Sequence, residues 1–210
     1  MEITYKYLLE VPPATKSIKL FYEDFFENKF DDFLSGEIML LISNDLGDHA
    51  LLQFDVDFKK NETNEPNIDA NNMFKLLNKI FKKHGGFKLE MTPGGCHIVS
   101  NFIYKKQFHN MIIHKNRVRH ALHRFRNLDL DASFSITPMR RIGYDESRGF
   151  WFAPVDELSN SLRNSFYVSK PPYSKEFWKE YIHSMIPTKV ISFSEVVKLL
   201  ENFNDTLGDL

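Results

Sequence analysis

Cysteine is almost missing from this 210-residue chain, where Cys96 stands alone. One thiol cannot close an intrachain disulfide or build a cysteine-based zinc module, so a reducing, intracellular setting is expected. Glycine and proline are sparse at 9 each, and there is no internal repeat and no low-complexity segment. No run approaches the ~20 apolar residues that a transmembrane helix needs. The opening MEITYKYLLEVPP lacks the basic-then-apolar order of a signal peptide. Membrane contact and secretion are therefore not expected, and a cytoplasmic location is. Net charge is also scarce: 27 Lys and Arg face 28 Asp and Glu, for a formal charge of −1.

What the chain does have is apolar material, 42% of its residues, with 20 Phe among them. That is enough for a sizeable core, in one large domain or a domain with a small appendage. The near-neutral total conceals segregation of charge. Residues 105–126 hold three Lys, four Arg and four His without a single acid, which points to phosphate-bearing partners. As a basic helix over 107–126, this stretch suits either solvent or a track of template or primer phosphates, whose affinity would fall with salt.

The pattern of apolar residues predicts a strand over 3–10 and an amphipathic helix over 15–35, where Ile18, Phe21, Tyr22, Phe25, Phe26 and Phe30 recur at helical spacing. Strands over 37–42 and 50–58 read as a hairpin joined by the turn-rich 43–48. A helix over 68–84 ends at Gly85-Gly86. Further strands are expected at 87–91, 97–103, 128–134, 139–143 and 150–155, and helices at 174–184 and 192–203. The fold class expected is α+β, with mixed, largely antiparallel sheets flanked by helices.

Three places carry chemistry. Leu51-Leu52-Gln53-Phe54-Asp55-Val56-Asp57 ends an apolar strand with two carboxylates. Residues i and i+2 of a strand share a face, so Asp55 and Asp57 stand together while Phe54 and Val56 turn into the core. Paired carboxylates repel unless a cation lies between them, and a hard divalent ion with oxygen ligands meets that need. A strand running out into a solvated acidic turn is the plainer reading. Thr92-Pro93-Gly94-Gly95-Cys96-His97 follows, a small-residue turn whose backbone can form an anion-binding nest and whose histidine can reach a phosphate oxygen. It also reads as a tight turn before a strand. Leu128-Asp129-Leu130-Asp131 then supplies further acids, followed by Arg140-Arg141-Ile142-Gly143-Tyr144 and by Gly149-Phe150-Trp151-Phe152-Ala153-Pro154-Val155. Trp151 and Phe152 suit base stacking or the core, and an alternating aromatic strand favours the core.

Taken in order, these blocks resemble the archaeo-eukaryotic primase superfamily, which includes primase small catalytic subunits and primase-polymerases. The resemblance covers roughly residues 50–157, within a primase-like catalytic core over 1–157. Residues 158–210 are expected to form a C-terminal helical extension packed on it. By the resemblance, Asp55, Asp57 and Asp129 are the catalytic carboxylates and ligands of two divalent ions, Mg²⁺ or Mn²⁺, with Asp131 competing with Asp129. Gly94, Gly95, His97 and Arg141 face the nucleotide, and His97 and Arg141 contact its phosphates. The implied activity is template-directed nucleotidyl transfer, a DNA primase or primase-polymerase synthesising primers from nucleoside triphosphates. DNA template and primer are the implied partners, with a large primase subunit or a helicase beside them. Three departures qualify the match: the histidine turn has no basic residue, Asp145-Glu146 stand where a histidine is common, and the zinc-binding insertion is absent. They keep open a non-polymerising nucleotide- or nucleic-acid-binding member of the fold. Outside the family, a metal-dependent phosphoesterase or nuclease on the same carboxylates is the other reading.

Overall fold

A computed structural model describes residues 5–10, 17–20, 22–44, 46, 48–57, 65–92, 95–105, 131–135, 139–145, 150–156, 173–185, 187 and 189–206. Its strands are β1 (Tyr5–Glu10), β2 (Ser17–Leu20), β3 (Met39–Asn44), β4 (His49–Asp57), β5 (Phe87–Thr92), β6 (Gly95–Lys105), β7 (Asp131–Ser135), β8 (Met139–Asp145), β9 (Phe150–Val155) and β10 (Val190–Ile191). The helices are α1 (Tyr22–Asn28), α2 (Phe30–Ser35), α3 (Glu65–Ile80), α4 (Lys175–His183) and α5 (Phe193–Thr206). The class is α+β. The strands form one sheet in the order β2-β1-β3-β8-β9-β5-β6-β4-β7, with β10 beside β6. Among the described residues every pairing is antiparallel except the β6–β10 pair.

Two expectations about local structure are corrected. Residues 17–20 form a strand against β1, with Ile18 opposite Leu9, and the helix over 15–35 is two short helices separated at Lys29. A run as short as Ser17–Leu20 satisfies a strand as well as a helical period, and the neighbouring strand decides between them. The second correction concerns β3 and β4, which are not hairpin partners. β3 pairs with β1 and β8, whereas β4 lies between β6 and β7. The turn chemistry of 43–48 correctly ends a strand but does not specify which strand comes next to it in space.

Two apolar clusters hold the sheet. In one, α3 and α5 place Ala70, Met73, Leu77, Val196 and Leu200 against Leu52, Phe54, Val56, Leu89, Ile98 and Phe102. In the other, Phe25, Phe26, Phe30 and Phe33 of α1 and α2 meet Leu40, Ile142, Trp151, Trp178 and Ile182. The Phe33 ring stands edge-on to Trp178 at 5.1 Å and to Trp151 at 5.8 Å, the offset that aromatic quadrupoles favour. Trp151 and Phe152 are only 4% and 7% exposed, so both belong to the interior and not to a stacking platform. The expected basic helix over 107–126, with its histidines, lies outside the described residues. Among the described residues no helix is long and apolar enough to cross a membrane.

Helix ends are set by particular residues. α3 passes through the 3₁₀ turn Lys82–His84 into Gly85 and Gly86, both at positive φ, and Asn78 Oδ1 then accepts from Phe87 N at 2.7 Å. α4 is capped by Ser174, whose hydroxyl accepts from Phe177 N at 3.1 Å. Because α4 carries Trp178 into the second cluster, its cap matters to the whole domain. Ser174→Ala should cost about 1 kcal/mol, and Trp178→Ala about 3–5 kcal/mol from the cavity left behind. Urea denaturation midpoints of the two variants check both values.

Candidate functional site

β4 is covered on both faces for most of its length, from Ala50 to Phe54, and opens only at its end, where Asp55 is half-buried and Asp57 exposed. Phe54 and Val56 are fully buried in the cluster beneath α3. Strand alternation therefore puts both carboxylates on the opposite face. On one side of β4 the register sets Asp55 opposite His97 and Asp57 opposite Gly95, both in β6. On the other side it sets Asp55 opposite Ser133 and Asp57 opposite Asp131, both in β7. The His97 Nε2 atom lies 3.4 Å from Asp55 Oδ1, with the two side chains 24% and 44% exposed. A ligand from solvent can reach both.

The strand after the histidine turn begins earlier than the sequence suggests. β6 begins at Gly95, so Gly95 and Cys96 are strand residues, and Gly95 pairs with Thr92 as well as with Asp57. A Cβ at Gly95 would run into the Val56 carbonyl oxygen and stand 3.1 Å from Asp57 Cα. The absent side chain thus allows β6 to press onto β4 at the level of the carboxylates. Gly95 serves strand approach here, and Gly94 lies outside the described residues. Cys96, opposite Val56, points into the core and is fully buried. Burial, followed by the nearby charges of Asp55 and Asp57, pushes its thiol pKa well up. The thiol stays neutral, which removes it as a nucleophile or thiolate ligand.

Asp129 lies outside the described residues, and it is Asp131 whose backbone occupies the register position opposite Asp57. Arg141 is exposed on β8 and opposite Leu41. The order β8-β9-β5-β6-β4 sets it four strands from Asp55, about 19 Å along the sheet at ~4.8 Å per strand. The sheet thus gathers Asp55, Asp57, Gly95, His97 and the Asp131 backbone, while Arg141 lies four strands along the sheet order. Among the described residues no group of three or more His, Cys, Asp or Glu side chains is arranged to hold a metal ion. The donors that Asp55 and Asp57 offer are carboxylate oxygens, the chemistry that suits Mg²⁺ or Mn²⁺.

Two polar residues beside the site escape a sequence reading. Glu90 is 4% exposed in β5, opposite His97 on the flank away from Asp55. Gln53 is 5% exposed, two residues before Asp55, and its Oε1 has no hydrogen-bond partner among the described residues. Strand alternation marks Gln53 as sharing a face with Asp55, but only the register across β5, β6 and β4 puts Glu90 on that face.

No protein-family model matches the chain, and no curated protein does. The candidate site therefore rests on its own geometry.

Two outcomes test that geometry. Gly95→Ala should lower stability by about 1–3 kcal/mol, the range for overpacking, as read from urea unfolding. Cys96 should resist alkylation by iodoacetamide in the native protein and react at once in denaturant, as read by intact mass.

Proposed function

We propose that the chain is a template-directed nucleotidyltransferase of the primase-polymerase kind, built on a primase-like core. The observation that carries this reading is the convergence of Asp55, Asp57 and His97 from two paired strands, with Asp131 opposite Asp57 on a third. Asp55 and Asp57 would hold two divalent ions, Mg²⁺ or Mn²⁺, with Asp129 as the third carboxylate and Asp131, whose backbone lies opposite Asp57, as its competitor. When bound, such ions lower the pKa of an attacking 3′-hydroxyl and offset charge on a departing pyrophosphate.

The chain's own groups do the positioning. Asp55 and Asp57 present their oxygens from a rigid strand whose other face is locked in the core, so little rearrangement is needed when substrate arrives. His97 stands beside Asp55 and offers a ring N–H to the triphosphate. Arg141, four strands away, would meet only the far end of the nucleotide. Primer, template and a nucleoside triphosphate are the substrates implied, and a large subunit or helicase would supply initiation and grip on the template.

The test is extension of a labelled primer on a template with nucleoside triphosphates and Mn²⁺ or Mg²⁺. The wild-type protein should extend it. Asp55→Ala should abolish detectable extension with circular dichroism unchanged, since losing one positioned charge at such a centre raises the barrier by about 3–4 kcal/mol. An Asp55→Ala protein as active as wild type would sink the assignment of the carboxylates. Nucleotide binding without extension would favour the non-polymerising reading, and loss of strands without extension the hydrolytic one. His97→Ala should weaken triphosphate binding in a fluorescence titration.

A further inference from the structure

Glu90 is a buried carboxylate to which the proposed reaction assigns no task. A carboxylate taken out of water costs several kcal/mol unless paired or hydrogen-bonded, so a group 4% exposed needs a reason to be there. Its surroundings supply one. Tyr181 of α4 donates its hydroxyl to Glu90 Oε1. Lys88, two residues earlier on β5, places its Nζ 5.5 Å over the Tyr181 ring and donates to Ser184 Oγ at 2.6 Å and to the Ser184 carbonyl at 2.7 Å. The end of α4 is thereby fastened to β5 at two points, and Tyr181 is itself buried.

The register carries this fastening to the site. Glu90 is opposite His97, and His97 is opposite Asp55, so three adjacent strands present Glu, His and Asp in one row. Directly opposed residues in antiparallel strands share a face, with Cβ atoms about 4.5–5.5 Å apart. The imidazole thus stands between two acids. It makes its contact with Asp55 through Nε2, while Glu90 flanks it on the buried side.

We infer that Glu90 is a positioning residue for His97, and that Tyr181 holds Glu90 in place, so that α4 sets the orientation of the imidazole. Glu90 acts here as a fixed neighbour directly across the strand pair, beside the ring at register distance. The consequence for nucleotide binding rests on the function proposed above, but the positioning itself does not.

The experiment reads His97 directly. Protein labelled with ¹⁵N-histidine gives long-range ¹H–¹⁵N correlations from the ring, with His97 assigned by its disappearance in His97→Ala. At one fixed pH and without nucleotide, Glu90→Gln and Tyr181→Phe should each move the His97 ring signals while leaving those of His84 in place. Tyr181→Phe keeps the carboxylate and the packing, so it decides the matter if Glu90→Gln does not fold. Both variants should also raise the dissociation constant for a nucleoside triphosphate about tenfold. Unmoved His97 signals in Tyr181→Phe, or in a folded Glu90→Gln, would overturn the inference. Moved signals in a protein that binds no nucleotide would uphold the positioning and count against the proposed function.

Discussion

Everything at the candidate site depends on how closely β6 can lie against β4. The two strands are neighbours toward one end of the sheet, each with a further strand on its other side, and their pairing decides what stands beside Asp55. Gly95 permits that approach where any side chain would strike the Val56 carbonyl. Further along, the register slips between Leu51 and Gln53. Ser100 bridges the irregularity: its hydroxyl accepts from Leu52 N at 3.0 Å and donates to the Phe102 carbonyl at 2.8 Å. A sheet interior tolerates such a break only when the displaced backbone groups find other partners. With Gly95 at one end and Ser100 at the other, the intervening residues have a fixed pairing, and His97 has one possible neighbour on β4.

The two faces of this strand pair do different work. Below, Phe54, Val56, Ile98 and Phe102 are sealed by α3 and α5, and the Phe81 and Phe102 rings stack at 5.2 Å. Above, the small cluster of Leu46, Leu51, Val99 and Ile103 precedes the carboxylates along the strands. The polar groups therefore emerge where apolar cover stops on one face and continues on the other. Such a strand end holds charged side chains with little freedom while leaving them open to solvent. That combination suits binding a charged ligand.

The sequence makes some of this plain and hides the rest, for physical reasons. Alternation in Phe54-Asp55-Val56-Asp57 is a local property, so the facing of the two carboxylates can be read without a structure. The end of the α3 segment at Gly85-Gly86 follows an equally local signal, whereas its start lies at Glu65, three residues before the expected 68. Pairing is another matter. Nothing in residues 37–58 says that β3 and β4 lie in different parts of the sheet, because strand partners are chosen by long-range packing. The same limit hides Glu90. Within Phe87-Lys88-Leu89-Glu90-Met91 it looks like any solvent-facing position of an amphipathic strand, and only α4, some ninety residues on, encloses it. Asp129 and Asp131 share a strand face in the sequence pattern; the β4–β7 register sets the Asp131 backbone opposite Asp57, and Asp129 lies outside the described residues.

The parallel pairing of β10 with β6, Val190 opposite Ile103 and Ile191 opposite Tyr104, has a consequence for how the chain can be divided. The motif-bearing residues all precede 157, so a cut there looks harmless on paper. Yet β10 covers part of the backbone of the strand that carries His97, and the same C-terminal segment brings Trp178 and Val196 into the two apolar clusters. Without it, the far end of β6 would present bare amide and carbonyl groups beside exposed apolar surface. An edge of that kind recruits further strands from other molecules. The shortened protein would be prone to self-association, so its inactivity would say little about the chemistry of Asp55.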